Sequence, residues 1–361
     1  MKQGQPKGFR RRRETNEPSA TPTAAVVRGV GRRFGYGLLI VLNFLCGLAI
    51  GLASSKTLPL SIERLTKDPG CAQAFPFINP ARRCKDIPLL PEFEGLEDEL
   101  EAWAEQRRAS IPTEYLSVYF RDLQNGPWFG IHEDEFFTPA SLFKVPLMMA
   151  VLKTAAAKPD LLEAWVETDA ELPVPKNDLD DTQRVVPGRR YTVEELLRLM
   201  IVHSDNAAAV LLERYVNAHA GARHPYDAVF DEMGIRVAQA DDKISALTVK
   251  SYASFFRYLY NASYLGKEMS DRALALLAHS EFRDGIVAGV PSDIRVSHKF
   301  GIVNIQGQDT KQFHDCGIVY HPRRPYLLCI MTRSTDISRA AEAIRYVSRR
   351  IYEDVEQRIR G

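Results

Sequence analysis

The chain has 361 residues, 45% hydrophobic and 26% charged, a globular composition long enough for one large domain or two modest ones. Its formal net charge of +1 is unevenly spread: nine Lys/Arg and two acidic residues occupy the first 35 positions, leaving 38 against 44 elsewhere. The basic cluster Arg10–Arg13 has no interleaved aromatics and is followed by an apolar segment, so nucleic acid is not expected as a partner.

Residues 1–33, rich in Arg, Pro, Thr and Gly, read as a disordered basic cytoplasmic tail. Residues 34–55 carry no charge, and the apolar run from Tyr36 to Ala53 is about as long as a helix needs to cross a bilayer. The basic residues before it keep the N-terminus inside. The expectation is a single-pass signal anchor in the cell membrane with everything after it extracytoplasmic, in the periplasm or at the cell surface. Gly51-Leu52-Ala53 followed by Ser54 offers a cleavage site instead, but the apolar stretch exceeds a usual signal peptide's and favours the anchor. Cys46 lacks the small residue before it that lipidation requires.

Residues 56–91, with frequent prolines and the pair Cys71/Cys84, suit a stalk, and a catalytic domain is expected over 92–361. An oxidising location would let Cys71 pair with Cys84 and Cys316 with Cys329; four small buried or free thiols are the other reading. Within the domain, apolar spacing predicts a helix over 96–108. Strands follow at 115–120 and 128–131, with Asn125-Gly126 as a hairpin signal between them. Helices are expected over 141–157, 192–202, 206–216, 226–233, 248–260 and 270–278. Strands return at 294–299, 313–320 and 326–333, and a last helix covers 338–356. Strands, helices, strands, helix is the order of an α+β fold. Its antiparallel sheet would carry terminal helices on one face and a helical subdomain on the other, after one transmembrane helix.

Three polar groupings stand out against this background. Ser141-Leu142-Phe143-Lys144 begins a helix, which puts the lysine one turn from the serine, within reach of its hydroxyl. A hydroxyl becomes nucleophilic only when a base removes its proton, and a lysine can do so when burial or a neighbouring cation disfavours its charge. Ser204-Asp205-Asn206 separates two apolar helices, where Ser204 or Asp205 also makes an ordinary helix cap. Lys299-Phe300-Gly301 ends a strand-like run, as an edge lysine would.

Together, in this order and spacing, the three resemble the set Ser-x-x-Lys, Ser-Asp-Asn, Lys-Thr-Gly of class A β-lactamases and penicillin-binding proteins. The likeness extends through residues 191–212 and 285–301 and covers roughly 95–357. It implies the β-lactamase/transpeptidase-like fold and a serine acyl hydrolase. Ser141 would form an acyl-enzyme, Lys144 would accept its proton, and Ser204 would relay protons to the leaving nitrogen. Asn206 would hydrogen-bond the substrate amide, and Lys299, with Gly301 beside it, would draw the substrate carboxylate. The N–H groups of Ser141 and Ile302 would form the oxyanion hole, and Asp205 would be structural. The substrate would be a β-lactam or a D-amino-acid stem peptide of peptidoglycan; oligomeric state is left open.

Two positions depart from the family. Phe300 replaces the threonine whose hydroxyl helps hold the substrate carboxylate. The glutamate that activates the deacylating water has no counterpart after the Ser-Asp-Asn helix, where Asp241 and Asp242 are the nearest carboxylates. A D,D-carboxypeptidase or transpeptidase-like enzyme with slow deacylation is therefore one alternative, and a catalytically degenerate binding module another. The eight histidines, His203, His298 and His314 among them, are scattered without ligand spacing, so no metal and no cofactor are expected. His203 and His298 flank motif residues, where a packing role is the ordinary one.

Overall fold

In the computed structural model, which describes residues 91–360 apart from 112, 125, 170–183, 220–223, 241–243 and 305–308, a five-stranded sheet is built from both ends of the chain. In chain order the elements are α1 (Glu94–Ser110), β1 (Tyr115–Asp122), β2 (Trp128–Ile131), β3 (Phe136–Phe137), α2 (Lys144–Ala157), β4 (Trp165–Glu167) and β5 (Arg190–Thr192). Then come α3 (Val193–Val202), α4 (Asn206–His219), α5 (Pro225–Met233), β6 (Ala238–Ala240), β7 (Ile244–Thr248), α6 (Val249–Tyr260) and α7 (Gly266–Ala278). The last are β8 (Val296–Asn304), β9 (Lys311–Val319), β10 (Tyr326–Ser334) and α8 (Ile337–Arg360). The tail, the anchor, the stalk to residue 90, Cys46, the Cys71/Cys84 pair and Asp241/Asp242 lie outside the described residues.

All pairings in the main sheet are antiparallel, in the order β2-β1-β10-β9-β8, which leaves the motif-bearing β8 at an edge. Its central strands read as apolar runs because both faces are covered. Leu327, Cys329 and Met331 of β10 pack into the helical block. Tyr326, Leu328 and Ile330 pack into a second core with residues of α1 and α8. The expected arrangement, helical subdomain on one face and terminal helices on the other, is the one observed. Cys316 and Cys329 stand opposite each other in the register with Cα atoms 4.0 Å apart and form a disulfide.

Packed inside the helical block, α2 buries every residue from Lys144 to Leu152. Among the described residues, Ala140–Ala157 is the one segment long and apolar enough to cross a membrane, and its burial within the domain marks it as a core helix. Thr192 and Glu195 close a reciprocal cap at the start of α3, worth about 1 kcal/mol, and so fix the helix that leads into Ser204.

Two expectations are modified. The strand predicted at 294–299 runs on to Asn304, because pairing with β9 continues through Gly301 opposite His314 and Asn304 opposite Lys311 and overrides the low strand propensity of glycine. The stretch after Gly234, for which no strand was predicted, is the β6–β7 hairpin, and β3 joins it through Phe136 opposite Thr248.

Candidate active site

The helix predicted to start at Ser141 is preceded by a tight 3₁₀ turn, Ala140–Phe143, and the α-helix proper begins at Lys144. Leu142 N–H donates to the Pro139 carbonyl at 3.0 Å, and Ala140 adopts φ +52°, a left-handed conformation that disfavours a residue with a Cβ by about 1 kcal/mol. Surrounding structure must therefore hold this turn. Tyr252, fully buried on α6, donates its hydroxyl to the Leu142 carbonyl at 2.8 Å. From the other side β8 closes in. A Cβ placed on Gly301 would lie 2.8 Å from the Pro139 carbonyl oxygen and 3.2 Å from the backbone nitrogens of Ser141 and Leu142. Only glycine lets the strand backbone approach the Ser141 turn this closely.

One turn beyond Ser141, the buried Lys144 Nζ lies within hydrogen-bond distance of Ser141 Oγ (3.0 Å), Ser204 Oγ (3.1 Å) and Asn206 Oδ1 (2.7 Å), and also of the Ser204 carbonyl. Ser204 is fully buried and again left-handed, with φ +58°. Such strain persists where neighbours over-determine the conformation. Asp205 supplies that constraint: its carboxylate accepts Ala208 N–H at 2.8 Å, Val185 N–H at 2.9 Å and the N–H of Arg184. The sequence reading of Asp205 as a structural cap holds, and the residue also ties down a chain segment some twenty residues upstream.

From β8, fully buried Lys299 donates to Ser204 Oγ at 2.9 Å and to the Phe300 carbonyl at 2.9 Å. Ser141, Lys144, Ser204 and Lys299 thus form one unbroken hydrogen-bonded chain, with Asn206 beside it. Gly301 lies against the Ser141 turn, and Ile302 follows it on β8. Every site residue expected from sequence therefore falls on this one cluster of elements. Phe300 joins the second core, stacked on Phe282 with centroids 3.9 Å apart, and its ring lies 4.2 Å from the Lys299 ammonium. Position 300 thus packs the core and touches Lys299.

Two groups went unassigned by sequence reasoning. Gln312 and His314, on the same face of β9, hold Thr138, three residues before Ser141, at both its N–H (2.9 Å) and its carbonyl (3.0 Å). Only the β8–β9 register, with His314 opposite Gly301, could have revealed them. The flanking histidines are accounted for by packing: His298 pairs with buried Asp315 at 2.9 Å, and His203 with Glu281 at 3.0 Å. With Asp205, these are carboxylates lying close to the motifs, each engaged as described. Among the described residues no group of His, Cys, Asp and Glu suits a metal ion.

Residues 95–355 match the beta-lactamase enzyme family. The chain belongs to it. Its class A-like relatives include the beta-lactamase of Streptomyces albus G, 25% identical over 235 residues covering 61% of this chain and 73% of that protein. Another is the extended-spectrum beta-lactamase PER-1 of Pseudomonas aeruginosa, 27% identical over 232 residues, 59% of this chain and 73% of that protein. The β-lactamase-like fold is shared with a mutant of PBP-A solved as its acyl-enzyme complex with penicillin G. The TM-score is 0.61 at 22% identity, covering 72% of this chain and 97% of that one. As a β-lactamase-family member, the chain is of a hydrolase type.

Proposed function

We propose that the chain is a serine acyl-enzyme hydrolase acting on β-lactams or D-amino-acid peptides of peptidoglycan, with Ser141 as nucleophile. The unbroken chain Ser141–Lys144–Ser204–Lys299 carries this reading. Two lysines sharing one hydroxyl repel each other as cations, which suits one of them to act in its neutral form, and Lys144 is the one that touches Ser141. The Ser141 O–H proton passes to Lys144 as Oγ bonds to the carbonyl carbon. Ser204 Oγ accepts from both ammonium groups, so its own proton is the one it can pass to the leaving nitrogen, while Lys144 replaces it and the C–N bond breaks. Asn206 uses its oxygen on Lys144 and offers its N–H₂ to the substrate amide. Lys299 supplies positive potential for a carboxylate, and the N–H groups of Ser141 and Ile302 serve the developing oxyanion.

Slow deacylation, the penicillin-binding-type alternative, has an observation of its own. No glutamate occurs between Gly234 and Thr248, where the chain forms the β6–β7 hairpin, so a water-activating glutamate has no place there. A β-lactam would then acylate Ser141 and stay. The domain would act outside the cytoplasm, tethered by residues 34–55; the Cys316–Cys329 disulfide accords with an oxidising compartment.

Intact-mass analysis of the full-length protein after fluorescent penicillin tests the core of the proposal. A single adduct mapping to Ser141 is expected, and its absence would favour the catalytically degenerate binding module. A chromogenic cephalosporin then separates the branches, since rapid multiple turnover would contradict slow deacylation.

A further inference from the structure

The turn that presents Ser141 is gripped from the sheet by one residue that the catalytic chain does not include. His314 lies on β9, fully buried, directly opposite Gly301. Its Nε2 is 3.0 Å from the Thr138 carbonyl oxygen, and the Thr332 N–H donates to its Nδ1 at 3.2 Å. A nitrogen that receives a backbone N–H holds no proton, so the imidazole is neutral with its hydrogen on Nε2, donated to Thr138. Burial favours the same state, pushing the imidazole pKa down to about 4. Two positions earlier on the same strand face, Gln312 Oε1 accepts the Thr138 N–H at 2.9 Å. Both backbone groups of one residue are thus fixed by two buried side chains. Ala140, two residues on, sits in a left-handed conformation that a Cβ-bearing residue does not choose by itself.

We infer that His314 is a positioning residue for the acylation step: as a neutral donor of fixed tautomer it bridges the sheet to Thr138 and holds Ser141 Oγ at its working distance from Lys144. Gln312 shares this role. The inference rests on Ser141 being the nucleophile. Orientation of a nucleophile is worth far more in rate than in binding, because a shift of about 1 Å costs on the order of a hundredfold in reactivity. The expected signature is a fall in the maximal acylation rate with little change in the noncovalent affinity that precedes it.

The test is stopped-flow labelling of the full-length protein with fluorescent penicillin over a range of concentrations, which separates the limiting acylation rate from the preceding dissociation constant. His314→Phe keeps a planar aromatic ring, somewhat larger than imidazole, and removes both hydrogen bonds. It should lower the limiting rate by about tenfold to a hundredfold and change the dissociation constant by less than about threefold. His314→Gln, whose amide N–H₂ can replace Nε2–H toward Thr138, should retain most of the wild-type rate. Should His314→Phe fail to fold, Gln312→Met, which removes only the acceptor for the Thr138 N–H, carries the same expectation. No adduct on Ser141 in the wild type would sink the nucleophile assignment itself. A wild-type adduct with an unchanged rate in His314→Phe, or in Gln312→Met where it stands in, would overturn this inference alone. So would a His314→Gln rate as low as that of His314→Phe, or rate and affinity falling together.

Discussion

Acidification from about pH 7.5 to about pH 4.5 should weaken the fold through His314 by roughly 2 to 3 kcal/mol. In the unfolded chain this histidine titrates near 6.5, and in the folded protein burial holds it at about 4. The folded-state value is the lower one, so between the two the unfolded chain binds a proton that the native protein refuses. The contribution is fully present above pH 6.5 and is lost as pH falls toward 4. The full gap corresponds to about 3 kcal/mol, at roughly 1.4 kcal/mol per unit, most of it spent by pH 4.5. Glu97 on α1 works the other way. Partial burial first, and then Glu101, Asp98, Glu133 and Glu94, raise its pKa to about 7. Its stabilisation is present below the ordinary carboxylate value and lost as pH rises through 7, so acidification restores it. Glu97 is only partly buried and solvent screens it, so its effect is the smaller, yet it would mask His314 in a single profile. The decisive measurement is a difference. Urea unfolding of wild type and His314→Gln at both pH values should show the wild type losing about 2 to 3 kcal/mol more than the variant. Equal losses in the two proteins would refute the titration argument.

Replacing Asp205 with Ala leaves the buried N–H groups of Ala208 and Val185, and the more exposed one of Arg184, without their carboxylate, and should destabilise the protein by about 3 kcal/mol in chemical denaturation. A loss under about 1 kcal/mol would mean water replaces it freely. Phe300→Thr restores the family's hydroxyl but removes a ring stacked on Phe282. It should cost about 3 kcal/mol without improving acylation, and a tenfold faster penicillin reaction would contradict the packing role. Ser141→Ala should abolish the penicillin adduct, with a melting temperature within a few degrees of wild type; a retained adduct would point to another nucleophile. Gly301→Ala should slow acylation, since its Cβ would sit 2.8 Å from the Pro139 carbonyl; an unchanged rate would show that the turn can yield.

Much of this molecule is legible in the chain because its chemistry is written in contiguous polar residues set against apolar surroundings. Ser204-Asp205-Asn206 interrupts two apolar helices and Lys299 interrupts an apolar strand, and those interruptions mark where side chains meet in the fold. The layered architecture follows equally from the order of strand-like and helix-like runs. What stayed hidden depends on register. Gln312 and His314 belong to the nucleophile turn only because Val303 and Gly301 lie opposite them, a fact carried by pairing over a distance and by no local pattern. The β6–β7 hairpin and the short strands β4 and β5 were missed because strands of three to five residues lack enough period to register without a turn signal such as the Asn125-Gly126 pair that marked the equally short β2.

The pairing of β1 with β10 joins residues about two hundred positions apart, Tyr115 opposite Arg333. Synthesis delivers the N-terminal strand first, so β1 emerges with its central flank open and waits for most of the polypeptide before its neighbour arrives. Until then a row of unsatisfied backbone groups and the Phe120 and Val118 side chains stay available to other chains. Growth conditions that shorten this interval, or a holding chaperone that caps the flank, should govern how much soluble protein a cell yields, more than any change to the finished cleft.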